Sequence, residues 1–359
     1  MDELNVKQEL EEENQSERDH HSKWVCTANH GFAPYAQEEL RRMFGSLKST
    51  MMIPGEVFVV TIDSSENEAN RLITTTRTPI FLRHLFPVHL EIAADTSLDA
   101  LSAVEEFLLK REEIGGSSAA IQIRKTENSS WKENPAALRD ELQRRLAPLE
   151  LEYTVHSPEW IISLFAADHI WYVGVTRPED NLSDWNGGAV RFQREEGQIS
   201  RAKFKLLEAE KQFGIPFQSF RNALDIGAAP GGWTSFLLER GLQVTAVDPA
   251  KMHPSLAGNK NLRVIHKNAA DVSFRENEFD LIVCDMSWSP KLMARMVKGL
   301  LYSLQAGGTA VITVKLLTKK PMALVKEIME AFEESRMQIQ GAKQLFHNRD
   351  EITLYMIKY

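Results

Sequence analysis

The chain is poor in cysteine, with Cys26 and Cys284 alone among 359 residues. Two thiols build no disulfide framework and cannot by themselves complete a four-ligand zinc site, so both are expected to be structural thiols in a reducing compartment. Long apolar runs are also lacking. The most apolar stretch, "WIISLFAADHIWYVGV", is interrupted by Asp168 and His169. No membrane span is expected, and nothing near the first residue reads as a secretory leader, which points to the cytoplasm. The 10 histidines show no cluster spacing and no Ser/His/Asp arrangement stands out, so no metal is expected.

A surplus of positive charge is missing too: the formal net charge is −8. The deficit is uneven. Residues 1–23 hold eight acids (Asp2, Glu3, Glu9, Glu11, Glu12, Glu13, Glu17, Asp19) against Lys7, Arg18 and Lys23, a net −5, which leaves −3 for all the rest. That first segment has few apolar residues and reads as a disordered acidic tail. Beyond it a local basic face for nucleic acid is not excluded.

At this length two or three domains are expected. From Trp24 onward, "VFVVTI" (57–62), "VHLEIA" (88–93), "AAIQIR" (119–124), "WIISLF" (160–165) and "IWYVGVT" (170–176) read as strands. Helical spacing appears in Leu101, Val104 and Leu108, and in Leu138, Leu142 and Leu146. These segments make two α+β blocks, 24–93 and 94–180. Residues 181–199 lack either period and read as a linker. From 200 to 359 the alternation is regular: strands "ALDIG", "QVTAVD", "RVIHK", "DLIVCD" and "TAVITVK" alternate with helical stretches such as Trp233 to Arg240, "KLMARMVKGLLYSLQ" and the one carrying Leu324, Ile328 and Phe332, and "EITLYMIKY" closes the chain. Near-continuous apolar strands separated by helices predict an α/β fold, a doubly wound, mostly parallel sheet of Rossmann-like type.

Ligands bind at the carboxyl edge of such a sheet, where strand turns into helix. The turn after "ALDI" is Gly227, Ala228, Ala229, Pro230, Gly231, Gly232. Counted from Gly227, the dinucleotide pattern G-x-G-x-x-G fails at Ala229, and no Gly-Lys-Ser/Thr follows for a phosphate loop. Asp248 ends the next strand, where a carboxylate accepts hydrogen bonds from ribose hydroxyls. A glycine turn without a phosphate clamp, followed by a ribose-binding acid, suits a nucleoside cofactor with an amino-acid tail, and S-adenosylmethionine is the natural candidate. The plainer alternative is that the glycines only permit a tight turn.

The words "DIGAAPGGWT", "SRAKFKLLEA", "FDLIVCDM", "AVITVKLL" and "NRDEITLY" resemble the FtsJ-like ribose 2′-O-methyltransferases, and more closely the ribosomal large-subunit methyltransferase M family, in which an RNA-binding THUMP region precedes this domain. The resemblance is strong from residue 185 onward and weak before it. It implies a class I S-adenosylmethionine-dependent methyltransferase fold for 200–359, a ferredoxin-like domain over 24–93, a THUMP-like domain over 94–180, and a monomer acting on large-subunit ribosomal RNA, with cytidine as the target. It implies cofactor contacts at Ser200, Gly227, Ala229, Pro230, Gly231, Gly232, Trp233, Asp248 and Asp285. The family has an aspartate against the adenine; the position with matching spacing is Asn268, with Asp271 three residues on, and either can serve. The segment "MSWSP" after Asp285 departs from the family's pattern.

The same resemblance nominates Lys205, Asp285, Lys315 and Glu351 as catalytic. Methylating a 2′-hydroxyl requires removal of its proton, and a lysine does this only when neutral, against a free pKa of about 10.4. A second lysine and the sulfonium cation favour the neutral form, while carboxylates oppose it. The expected roles are therefore Lys315 as proton acceptor, Lys205 and Asp285 as its tuning and orienting partners, and Glu351 as an anchor. In the front half, Arg124, Lys125, Lys132, Arg139, Arg144 and Arg145 are candidate phosphate contacts, and Trp131 and Trp185 candidate stacking residues. Interspersed Glu127, Glu133, Asp140 and Glu141 equally suit a solvated helix face. Two rivals stay open. One is an RNA base methyltransferase, although the Asp/Asn-Pro-Pro-Tyr/Phe motif is absent; the other is a catalytically silent RNA-binding assembly factor.

Overall fold

The computed structural model describes residues 21–76, 78–316, 318 and 320–359, and divides into units of residues 1–189 and 190–359. The acidic tail expected over 1–23 lies outside the described residues as far as residue 20. Its last two residues, Ser22 and Lys23, are instead part of a strand.

The first unit holds two sheets. β1 (Ser22–Ala28), β2 (Leu47–Ile53), β3 (Val57–Ile62) and β4 (Leu82–Pro87) form an antiparallel sheet in the order β2-β3-β1-β4. With α1 (Ala33–Phe44) after β1 and α2 (Glu66–Arg71) after β3, the succession is βαββαβ, the ferredoxin-like split βαβ arrangement. β2 escapes a sequence reading because it is a largely exposed edge strand. β4 escapes because Arg83 and His84, both buried, interrupt its apolar pattern.

The second sheet runs β5-β9-β8-β6-β7, from β5 (Leu90–Ala93), β6 (Ser118–Lys125), β7 (Glu152–Tyr153), β8 (Trp160–Ala166) and β9 (Ile170–Thr176). α3 (Ser97–Leu109) starts where the Thr96 side chain accepts from the Asp99 N–H, and α4 (Pro135–Arg145) where Asn134 accepts from Ala137, both ordinary N-caps. Leu101, Val104 and Leu108 meet Leu138, Leu142 and Leu146 over Ile162, Leu164 and Trp171 in one core, as their helical spacing predicts. β5 pairs with β9, so residues 90–93 belong to this second sheet and not to the first block, where the expected boundary at 93 put them. Val25, Val57 and Phe86 from the first sheet pack with Phe165 and Tyr172 from the second. The expected linker also starts too early. Asn181 is buried and accepts from Thr176, Gln122 Nε2 donates to the Asp184 carbonyl, and Arg83 Nε donates to the Gly187 carbonyl, so residues 181–187 are fixed to this unit by its own polar side chains.

The second unit is a seven-stranded sheet in the order β12-β11-β10-β13-β14-β16-β15, from β10 (Asn222–Ile226), β11 (Gln243–Val247), β12 (Leu262–Ile265), β13 (Phe279–Cys284), β14 (Leu304–Lys315), β15 (Met337–Lys343) and β16 (Glu351–Lys358). The first five strands across it are parallel, and β16 runs antiparallel between β14 and β15. Counted within the unit the order is 3-2-1-4-5-7-6, the doubly wound Rossmann-like order with one reversed strand inserted. α5 (Lys203–Phe213), α6 (Gly232–Glu239), α7 (Pro290–Leu300) and α8 (Pro321–Glu333) accompany the sheet. The helix expected to reach Gln305 stops at Leu300; a short 3₁₀ turn follows, and Leu304 already belongs to β14. The strand order reverses between β10 and β13, which makes their carboxyl ends the topological switch point, the place where such sheets bind ligands.

Candidate active site

The glycine turn leaves β10 at that point. Gly231, with φ of 114°, holds a backbone conformation closed to most side chains, and the next residue opens α6. At Gly232 a Cβ would stand 2.2 Å from Ser200 Oγ, so the missing side chain is what lets the Ser200 segment lie against the turn. Asp248 follows β11 and faces the same turn: its Oδ2 accepts from the Ala229 N–H at 3.1 Å and its Oδ1 from the Ala250 N–H at 2.7 Å. Two backbone donors fix this carboxylate and leave it lone pairs for further donors, with no cationic partner among the described residues.

Ser200, Gly227, Ala229, Pro230, Gly231, Gly232 and Asp248 are thus brought to one edge. Trp233 differs. Its indole is buried, and Nε1 donates to the Ala202 carbonyl at 2.8 Å, so its side chain ties the Ser200–Ala202 segment to α6 from within the core. Asn268 and Asp271 both lie exposed beyond β12, and neither side chain has a hydrogen-bond partner among the described residues.

Register explains the catalytic candidates. β14 and β16 are antiparallel with Lys315 opposite Glu351, so the last residue of one strand and the first of the other form a cross-strand pair at the carboxyl edge. Asp285 directly follows β13, the parallel neighbour of β14. Lys205, in the first turn of α5, completes the group. Its Nζ lies 2.9 Å from Asp285 Oδ2 and 2.5 Å from Glu351 Oε1, while Lys315 Nζ bonds Glu351 Oε2. The Glu351 side chain is only 4% exposed, Lys205 14%, and Lys315, the most open of the three, 23%.

Two further residues bond this group without having been expected. Thr313 Oγ1 donates to Asp285 Oδ1 at 2.8 Å, and Asn348 Nδ2 reaches Glu351 Oε1 at 3.5 Å while its Oδ1 accepts from Thr353. Thr313 had a signal: it is two residues before Lys315 in a strand and so shares its face. Asn348 lies in the turn before β16 and had none.

Burial opposes the charge on Lys205, but Asp285 and Glu351 outweigh it and hold its pKa above the ordinary lysine value. Asp225, at the end of β10, is fully buried. That burial, with Asp285 and Asp248 nearby, pushes its carboxyl up to about 7 against the hydrogen bond from Thr234. Burial likewise raises both thiols, Cys26 and Cys284, which are free and lie inside the two units.

The six candidate phosphate contacts of the first unit are engaged locally. Arg124 bonds Thr27 and Glu56, Lys125 the Trp131 carbonyl, Lys132 the Ser129 carbonyl, Arg139 Asp140, Arg144 Glu141, and Arg145 both Glu141 and Glu105. The Trp131 ring packs on the α3/α4 core. Among the described residues no helix is long and apolar enough to cross a membrane, and no group of three His, Cys, Asp or Glu could hold a metal ion.

Residues 198–348 match the FtsJ-like methyltransferase family. Over 178 residues the chain is 34% identical to the ribosomal RNA large subunit methyltransferase M of Halorhodospira halophila, covering 48% of this chain and 50% of that one. Over 237 residues it is 34% identical to the protein of the same name from Edwardsiella ictaluri, covering 62% and 60%. The chain therefore spans 50% to 60% of the length of these curated relatives. Among solved structures, TrmN from Thermus thermophilus is similar over 94% of this chain and 100% of that one, with a TM-score of 0.38 and 15% identity.

Proposed function

Taking residues 198–348 as an FtsJ-like methyltransferase domain, we propose that this protein uses S-adenosylmethionine to methylate a ribose 2′-hydroxyl, at a cytidine, in large-subunit ribosomal RNA. The observation that carries this reading is the linked group Lys205, Asp285, Glu351 and Lys315 at the switch point of the sheet. The residues present fit the cofactor. The Asp248 carboxylate is fixed by two N–H donors and open to ribose hydroxyls, beside a turn whose Gly232 brings Ser200 within contact of its backbone. Bound there, S-adenosylmethionine supplies an electrophilic methyl group and a positive charge.

The group's chemistry follows from counting charge. Two lysines face two carboxylates, a balanced set, and any further cation makes loss of a proton favourable. Lys205 touches both carboxylates, whereas Lys315, among the described residues, touches only Glu351, which it shares. Of the two, Lys315 has the fewer carboxylate partners and borders the open cleft, and its Nζ is the acceptor for the 2′-hydroxyl proton. Lys205 stays charged and keeps Asp285 and Glu351 in place. Glu351 aims Lys315, and Thr313 and Asn348 steady the two carboxylates. The names of the curated relatives support ribosomal RNA as substrate, and the first unit is the candidate for holding it.

The direct test is transfer of a labelled methyl group to unmodified large-subunit ribosomal RNA, followed by alkaline digestion. A 2′-O-methyl group blocks cleavage of the adjoining phosphodiester, so label should persist in alkali-resistant dinucleotides that begin with cytidine. Label recovered entirely in mononucleotides would mean base methylation, and no transfer at all would leave an RNA-binding factor.

A further inference from the structure

Beside Lys315 and Glu351 opens a cleft of about 630 Å³ whose lining includes Arg201, Phe204, His347 and Arg349. That is ample for one nucleotide, since sites for ligands of this size run from roughly 300 to 1,000 Å³. His347 is fixed in it with unusual completeness. Its Nδ1 lies 2.7 Å from Oε2 of the buried Glu208, a carboxylate that also accepts from the backbone N–H groups of Phe346 and His347. That contact and the two backbone bonds fix the orientation of the ring. The ring stacks on Phe192 at 5.4 Å and meets Phe204 at 5.2 Å. What remains is Nε2, with no partner among the described residues, on a side chain 16% exposed in the cleft.

The cleft also carries unspent charge. Arg201 and Arg349 are exposed, and neither guanidinium has an ion-pair partner among the described residues. Of the two acids lining the cleft, Glu351 is taken by the lysines, which leaves Asp350 alone against two arginines. Guanidinium forks match phosphate geometry, and phosphate contacts set placement.

We propose that this cleft seats the nucleotide bearing the reacting hydroxyl, with Arg201 and Arg349 on its flanking phosphates and His347 as the positioning residue that holds the nucleotide through Nε2. This rests on the ribose-methylation reading. It assigns the RNA a binding surface on the methyltransferase unit itself.

The experiment compares wild-type protein with the Arg201→Ala/Arg349→Ala double variant, using unmodified, in vitro transcribed large-subunit ribosomal RNA. Both arginines are exposed and without an ion-pair partner among the described residues, so folding is spared. Every phosphate of a single strand that is no longer neutralised lowers the slope of log affinity against log salt by about 0.7, so the double variant should be shallower by about 1.4. The KM for RNA should rise while affinity for S-adenosylmethionine holds. An unchanged slope with unchanged KM overturns the proposal. His347→Ala should raise the KM for RNA up to about tenfold, the worth of one hydrogen bond, with His347→Gln recovering part of it; a wild-type KM in a folded His347→Ala protein removes that residue from the site. If His347→Ala does not fold, the arginine pair decides alone. Wild-type protein that binds this RNA without methylating ribose would end the functional reading, and the salt slope would still report whether RNA occupies the cleft.

Discussion

Each unit of this molecule holds a glutamate between two cations that come from different elements of the fold. In the first unit Glu56 lies between Arg83 and Arg124; in the second, Glu351 lies between Lys205 and Lys315. The difference is in what else those cations hold. Arg83 also bonds Asn29 and the Gly187 carbonyl, and Arg124 also bonds Thr27, so the first cluster stitches a strand, a turn and the second sheet together. Lys315 has, among the described residues, Glu351 alone and borders an open cleft. An arginine keeps its proton in any protein environment, whereas a lysine can give one up. A charged cluster reads as structure or as chemistry according to the residue type, the number of partners and the access.

The sharpest way to break this contrast is to make the second cluster like the first. Lys315→Arg keeps a cation on Glu351 but cannot accept a proton. Methyl transfer should fall by the 10²- to 10⁴-fold typical of losing a general base, as it should in Lys315→Ala. Calorimetric titration with S-adenosylmethionine should show binding intact in both. An arginine variant that still turns over at the wild-type rate would assign Lys315 to positioning alone.

Removing a cation should separate the clusters again. Lys205→Met leaves Asp285 without its cation and Glu351 with Lys315, and breaking a buried pair costs on the order of 3–5 kcal/mol. Urea unfolding followed in the second unit should shift accordingly, and activity should go with it. Arg124→Met should destabilise the first unit without changing the rate of methyl transfer at saturating RNA, because Arg124 is held by Thr27 and Glu56 of its own unit. Loss of turnover in that variant at saturation would show that the two clusters are linked.

The same contrast governs what was legible in the sequence. The second unit announces itself because its strands are buried on both faces and read as apolar runs, and because the site falls at strand ends, where the sequence words stand. Lys315 and Glu351 are 36 residues apart in the chain but opposite in register, a pairing that only the antiparallel insertion of β16 creates. Thr313 was legible by period two, Asn348 not at all. In the first unit, β2 is exposed and β4 hides Arg83 and His84 inside an otherwise apolar strand, so composition conceals both. The arginines that looked like an RNA face could not be told from helix-surface ion pairs until Asp140, Glu141 and Glu105 were placed beside them.

The smallest expected effect separates the units by the sign of their pH dependence. His84 is buried beside Arg124 and Arg83, and its pKa falls from 6.5 to about 3, burial being the main cause. A depressed histidine supports folding above 6.5 and loses that support as pH falls toward 3. Asp225 runs the other way. Its carboxyl rises from 3.8 to about 7, so the folded state holds its proton longer than the unfolded chain, and stability is lost as pH rises through that window. Against wild type, the urea midpoint of Asp225→Asn should therefore improve between pH 4 and 7, and that of His84→Gln should improve as pH is lowered from 6.5. Slopes of the same sign in both variants would contradict the assignment. Because Asp225 sits behind the glycine turn with Asp248 and Asp285, a cation bound at that edge favours its ionised form, and S-adenosylmethionine should flatten the wild-type slope while leaving that of Asp225→Asn unchanged.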